Sequence, residues 1–248
     1  SGGSVTTNSI TPAARDAAFA AKTALCKELQ AALGLDAVPT FAADGKVLAV
    51  KGKTTLPPMT LKQAASKLRK DQVIGVAERQ ADYSGFMAGG KGRGVGYGQL
   101  GGVQFAEVEV DTLTGVVRVL RVVAAQDCGR PINPLLVESQ VHGGVIQGVS
   151  YALFEERRID RRTGKLLNGN LEQYKIAGAL DVPKIDVVLL EDLRGRSSTD
   201  ASGIGEPATV PTAAAIANAI YNAIGVRVRE LPITPARVLA ALAAAGKK

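Results

Sequence analysis

Residues 103–123 read VQFAEVEV, DTLTG, VVRVLRVV. Val103, Phe105, Val108 and Val110 precede the turn Asp111-Thr-Leu-Thr-Gly115, and Val116, Val117, Val119, Leu120, Val122 and Val123 follow it. Two β-branched runs on either side of a short polar segment predict a β-hairpin. A second hairpin echoes it, with Tyr151–Ile159, the turn Asp160-Arg-Arg-Thr-Gly164, and Lys165 onward. The shared Asp-x-x-Thr-Gly is turn chemistry, since two short acidic positions cannot enclose a calcium ion.

Between the hairpins, Asn133-Pro134 starts a helix whose early part, Leu135 to Ser150, carries Gly143, Gly144 and Gly148. Each glycine costs a helix roughly 1 kcal/mol relative to alanine, so their density predicts that something packs very close. Upstream, Val73–Glu78 reads as a strand and Gly85–Gly102 as a glycine-rich loop. Within that loop Gly96-Tyr-Gly98-Gln-Leu-Gly101 spells a dinucleotide fingerprint, but a hairpin follows where that fingerprint needs a helix. The first helix is expected over Pro12–Leu33, capped by Thr11 and stopped at Gly34, with Ala18, Ala21, Leu25, Leu29 and Ala32 on one face. Residues 36–58 read as a short hairpin or irregular segment turning at Asp44-Gly45, and Thr60 with Gln63 as the capping box of a short helix ending near Lys70. Downstream come a strand over Val182–Leu190, a helix from Pro207 to Ile224, and another from Pro235 to Ala245, capped by Thr234. Strands and helices in mixed order, without regular βαβ units, predict an α+β fold of mixed sheets and hairpins with packed helices. The organisation expected is 1–72 as an N-terminal loop, long helix and connecting segment, and 73–248 as an α+β domain, or both as one continuous unit.

Composition narrows the function. At 46% hydrophobic and 21% charged the chain is a globular protein. Its net charge of +7 invites a nucleic-acid reading, but the basic residues are scattered, aromatics are 4% and tryptophan is absent, so stacking platforms are scarce. A basic surface facing an acidic partner or cofactor is the better reading. Cys26 and Cys128 lie outside any CxxC spacing and cannot hold an iron–sulfur cluster or zinc by themselves. Cys26 reads as core, and a disulfide between the two stays open on sequence alone. Ser1-Gly-Gly-Ser4 is neither basic nor apolar, so a cytoplasmic chain is expected, with periplasmic placement after assembly left open. Pro207 to Val226 carries no charge, but Pro207, Pro211, Asn218, Asn222 and its alanines make it a buried helix and no membrane span.

Two residues invite a chemical reading. His142, the single histidine, lacks the partners for a triad or metal site and is expected to be partly buried. Glu206, in Ser202-Gly-Ile-Gly-Glu206-Pro207, is flanked by a glycine that permits close approach and a proline that opens a helix. Its carboxylate at a helix N-terminus fits a structural role, worth roughly 0.3–1 kcal/mol, as well as a catalytic one.

Taken together, Phe105-Ala-Glu-Val-Glu-Val-Asp111, Thr114-Gly115, Asp127-Cys-Gly129, Asn133-Pro134, Gln140-Val-His-Gly-Gly144, Gln147-Gly148 and Gly203-Ile-Gly-Glu206-Pro207 resemble the xanthine dehydrogenase and aldehyde oxidase family of molybdenum hydroxylases. Ser1-Gly-Gly-Ser4-Val-Thr6-Thr7 resembles that family's loop gripping molybdopterin before a long helix. The resemblance spans nearly the whole chain, is weakest over residues 36–72, and implies the C-terminal half of a molybdenum-cofactor-binding domain. Glu206 matches the family's general base, which takes the proton of a molybdenum-bound hydroxyl as it attacks an electron-poor carbon. A desolvated carboxylate, its proton affinity raised by burial, suits that task. Gly205 would offer its backbone beside it, Gln140 its amide to the pterin, and Gly3, Ser4, Thr6 and Thr7 their N–H and hydroxyl groups to the pterin and its phosphate. No residue is implied as a direct metal ligand. His142 departs from the pattern, which has glutamate there. Glu155, Glu156, Tyr174 and Lys175 fall in family-like stretches and are assigned structural roles.

The implied cofactor is molybdenum–molybdopterin, plain or as a dinucleotide, with iron–sulfur clusters, and FAD in some assemblies, on partner chains. The implied partners are a chain carrying the earlier part of the molybdenum domain, an iron–sulfur subunit with or without a flavin subunit, and a small-molecule substrate, an aldehyde or N-heterocycle. Two rival readings stay open: a non-catalytic assembly or binding module of the same fold, and a basic nucleic-acid-binding domain.

Overall fold

The computed structural model describes residues 3–4, 6–79, 101–190 and 198–246. The chain divides into two units, Asn8–Arg93 and Ser1–Thr7 with Gly94–Lys248. Most of the expected glycine-rich loop, including Gly96 and Gly98, lies outside the described residues.

Helix α1 spans Thr6–Leu33 and carries Pro12 inside it. The expected start at Pro12 with a Thr11 cap is therefore corrected. Proline removes the bond its missing N–H would give the Asn8 carbonyl and its ring crowds that carbonyl, but the alanine-rich sequence from Ala13 sustains the helix beyond it. In the smaller unit Leu29, Val47 and Ala64 form a core flanked by Leu25, Leu33, Phe41, Met59 and Leu68. Its strands are two-residue pieces: β1 (Thr40–Phe41) pairs β2 (Val47–Leu48) across the Asp44-Gly45 turn, and β3 (Val50–Lys51) pairs β4 (Thr54–Thr55). The Thr60–Gln63 capping box is present and starts α2 (Leu61–Ala65), which ends short of Lys70. Val73–Glu78 pairs with no strand among the described residues. It runs along α1 so closely that a β-carbon on Gly75 would collide with the backbone of Ala17 and Ala21.

The larger unit is built on the predicted hairpin, β5 (Gly102–Val110) against β6 (Val117–Asp127). The Asp111 carboxylate accepts the N–H groups of Leu113 and Thr114, and Gly115 closes the turn at φ +76°. β6 then pairs in parallel with β7 (Lys184–Leu190), giving the order β5-β6-β7. The connection between them contains α3 (Pro134–Leu153), capped by the Asn133 side chain, so the fold holds a β-α-β crossover where none was expected. The second predicted hairpin hid it. Tyr151–Leu153 finish α3, and that hairpin shrinks to a single bridge, Ile159 with Leu166, around the Asp160–Gly164 turn.

Helices cover one face of this sheet. Val141, Val145 and Val149 repeat every fourth residue along α3 and are 1% exposed or less, a helical spacing that keeps them on one side. They join Val122 and Ala124 of β6, Ile216 and Ile220 of α4 (Thr212–Ile224), and Val238 and Leu242 of α5 (Pro235–Ala244) in one core. Each of these valine, isoleucine and leucine side chains contributes roughly 1.5–3 kcal/mol on burial. The helix expected from Pro207 is split: a 3₁₀ turn over Glu206–Thr209 precedes α4, whose N-cap is Pro211. No helix among the described residues is long and apolar enough to cross a membrane.

Candidate functional site

The close packing that the helical glycines predicted is real at two of them. A β-carbon on Gly144 would stand 2.7 Å from the Ala208 β-carbon, and one on Gly148 would collide with the Thr212 side chain. Thr212 also donates to Gln104 Oε1 at 2.6 Å, and Gln104 Nε2 donates to the Ala208 carbonyl at 2.7 Å. The 3₁₀ turn that opens at Glu206 is thereby fixed between α3 and β5. Its approach is fixed as well. Asp127 accepts the Gly129 N–H at 2.7 Å, Arg130 N–H reaches the Asp200 carbonyl at 2.5 Å, and Ser202 N–H reaches the Cys128 carbonyl at 2.9 Å.

Against this clamped segment lies the turn that precedes α1. Gly3 and Ser4 have φ of +63° and +56°, a conformation uncommon for a non-glycine residue and frequent at functional sites. The Ser4 hydroxyl donates to Glu206 Oε2, and the Glu206 N–H donates back to Ser4 Oγ at 3.3 Å. A β-carbon on Gly203 would collide with the Ser4 carbonyl, and one on Gly205 would stand 2.9 Å from Ser4 Oγ and 3.6 Å from Gln140 Oε1. The glycines of Gly203-Ile-Gly205 are thus what lets Ser4, Gln140 and Glu206 meet.

They meet around a cavity of about 480 Å³. Ser4, Thr6 and Thr7 line it from the start of α1, Gln140, Gly143, Gly144 and Gln147 from α3, and Gly203 to Glu206 with Thr209 from the turn. Gly3 lies instead in a neighbouring cavity of about 400 Å³, which Glu206 also lines. All seven residues singled out in the sequence therefore border one of two cavities that share Glu206. Gln147 and Thr209 were missed, though Gln147 hydrogen-bonds Thr209 Oγ1 at 3.2 Å and Tyr151 at 2.6 Å. The available signal was the spacing of Gln140, Gly143, Gly144 and Gln147, one helix face at i, i+3, i+4 and i+7.

Three expectations need correction or detail. The Glu206 carboxyl is exposed, and its proton affinity is held below the ordinary carboxylate value. The Ser4 hydroxyl is the main cause, followed by the N–H of Glu206 itself; burial opposes them, and the Gly3 N–H adds a smaller lowering. In this chain donors outweigh desolvation, opposite to the raised affinity expected. His142 is exposed, not partly buried, because it follows Val141 and so turns away from the valine stripe. Both cysteines are free and buried, and burial followed by the Asp127 charge pushes the Cys128 thiol up. The residues read as structural are so engaged: Tyr174 donates to Glu155 at 2.9 Å, Glu156 pairs Arg237 at 3.0 Å, and Lys175 lies 4.9 Å over the Phe154 ring. Among the described residues no cluster of His, Cys, Asp and Glu could hold a metal ion.

Comparison with known proteins gives the family. The family model of the molybdopterin cofactor-binding domain matches residues 1–183, and the chain belongs to that family. It is 34% identical over 222 residues to the molybdenum-binding subunit of aldehyde oxidoreductase from Escherichia coli, an alignment covering 89% of this chain and 28% of that protein. It is 43% identical over 152 residues to a nicotinate dehydrogenase subunit of Pseudomonas putida, covering 61% of this chain and 12% of that protein. The structure of CO dehydrogenase from Oligotropha carboxidovorans matches with a TM-score of 0.71 at 22% identity, over 95% of this chain and 28% of that one, a likeness of fold alone. Aldehyde oxidoreductase from Desulfovibrio desulfuricans matches with a TM-score of 0.51 at 38% identity, over 57% of this chain and 15% of that one. The chain thus spans 28% of the length of the first relative. Membership of a cofactor-binding family does not favour the nucleic-acid reading of its charge.

Proposed function

We propose that this chain forms one wall of the molybdenum–molybdopterin site of an oxidoreductase that hydroxylates an aldehyde or an N-heterocycle with oxygen derived from water, and that Glu206 is the general base. The observation that carries this reading is the convergence of Ser4, Thr6, Thr7, Gln140 and Glu206 on one cavity. The lining suits a pterin: its groups are amides, hydroxyls and one carboxylate, matched to a polar ring more than to direct metal ligation. A β-carbon on Gly143 would meet nothing within 4 Å, so the cavity floor is left open where a side chain would otherwise project. When bound, the cofactor supplies the redox chemistry and the site of water activation.

The chain's own residues do the remainder. Gln140 and Gln147 present amides along one face of α3, and Ser4, Thr6 and Thr7 present hydroxyls at the N-terminus of α1, the end that favours a phosphate. Glu206, kept deprotonated by Ser4 and by main-chain N–H groups, is ready to accept a proton. Its reach is bounded by the 3₁₀ turn that holds its backbone. The remaining walls of the site, the iron–sulfur carriers and any flavin lie outside these 248 residues, which span 28% of the length of the aldehyde oxidoreductase relative. The test is Glu206→Gln in the complete, cofactor-loaded protein. Turnover is expected to fall by about 10²–10⁴-fold with molybdenum content unchanged; near-normal turnover in a fully loaded variant overturns the base assignment.

A further inference from the structure

The second cavity, beyond Glu206 from the pterin wall, is lined by Gly3, Gly102, Gln126, Pro207 and Val210 as well as Glu206. Gln126 lies near the end of β6 and is only 2% exposed. The direction of its amide is fixed chemically. Nε2 donates to the Gly101 carbonyl at 2.8 Å and to the Asp127 carbonyl at 3.3 Å. A flipped amide would set an oxygen against both acceptors. Oε1 therefore lies over Gly102, where a β-carbon on that glycine would stand 2.6 Å from it. No described residue donates to Oε1. Buried amide oxygens are seldom left without a donor, and Gln126 lines a cavity whose other walls are mostly apolar.

We infer that Gln126 orients the substrate by accepting a hydrogen bond from a ring N–H, so that the substrate class is a flat N-heterocycle bearing an N–H donor. This rests on the cofactor reading above and selects between the two classes that reading allows. The polar side chains lining the cavity are Gln126, whose amide donors are committed to two carbonyls, and the Glu206 carboxylate, so what they offer a ligand is acceptors. An aldehyde brings only another acceptor and leaves Gln126 unsatisfied; a lactam or similar heterocycle brings the donor. Sites built to bond a ligand N–H discriminate strongly against an isostere that lacks it.

The test uses the complete protein, with pterin and molybdenum content measured first. Calorimetry then compares carbostyril, a bicyclic lactam, with coumarin, a lactone of the same shape whose ring oxygen replaces the N–H. Carbostyril is expected to bind at least about tenfold more tightly. In Gln126→Met, with melting and pterin content checked, that preference should shrink to within about threefold. Equal binding of the two ligands by the loaded wild-type protein overturns the assignment and leaves the cofactor reading intact, whether or not the variant folds. A preference that survives unchanged in a folded, loaded Gln126→Met overturns it too. A complete protein without molybdopterin overturns both readings.

Discussion

Ser4 has two tasks that substitution can separate. Its hydroxyl holds Glu206 in place and lowers the proton affinity of the carboxyl. A base works only when deprotonated, so under the base role proposed for Glu206 activity is lost as pH falls through its pKa. Removing the donor in Ser4→Ala raises that pKa, and the acid limb of the kcat/KM profile should move to higher pH while the alkaline limb stays. An unmoved acid limb would show that Ser4 does not tune the base. Gln140→Leu is expected to lower bound molybdopterin more than it lowers the melting temperature, since a hydrogen bond of roughly 0.5–1.5 kcal/mol is lost from a side chain that is itself exposed. Normal pterin content in that variant would remove Gln140 from the binding set. At this scale the sequence was informative where a residue type is forced. Gly205 and Pro207 around Glu206 announced a special backbone. The lowered proton affinity was not legible, because its cause is a serine 202 positions away.

Among the elements, α3 carries the clearest contrast. Gly148→Ala should destabilise the larger unit by about 1–3 kcal/mol, because the new methyl must displace Thr212 and the core is already packed. Gly143→Ala should do the reverse. With open space around it the methyl meets no clash, and the helix gains about 1 kcal/mol of propensity; yet the methyl enters the pterin cavity, so cofactor content should drop. Thermal melts read beside pterin analysis check both, and a Gly143→Ala protein that is more stable and fully loaded would contradict the cradle. Elements with strong local chemistry were readable in advance: the Val103–Val123 hairpin by its turn, α3 by Asn133, α5 by Thr234. The parallel pairing of β6 with β7 was not. It is a tertiary choice between segments that each look like an ordinary strand, and the glycine-closed turn at Asp160–Gly164 pointed to a local hairpin instead.

For the whole molecule, the chain corresponds to 28% of the length of its aldehyde oxidoreductase relative, and the cavities around Glu206 are bordered here by one set of walls. Apolar residues of the sheet, Val103, Phe105 and Val188, are 48%, 66% and 45% exposed, an apolar surface of the kind that interfaces use. The chain purified by itself is accordingly expected to fold in its larger unit but to hold no stoichiometric molybdenum and to oxidise neither aldehydes nor N-heterocycles with an artificial acceptor. Metal-loaded, active material from the isolated chain would show that it needs no further polypeptide.

The bond between Ser4 and Glu206 joins the beginning of the chain to its last quarter, and this sets an order of events. The β5–β6 hairpin needs only local contacts and can close quickly, whereas pairing residues so far apart waits on a very long loop closure. During synthesis the cavity lined by Ser4, Gln140 and Glu206 cannot exist until Glu206 and the α4 helix that follows it have emerged. Pulsed amide exchange during refolding should find β5 and β6 protected well before the Glu206 N–H.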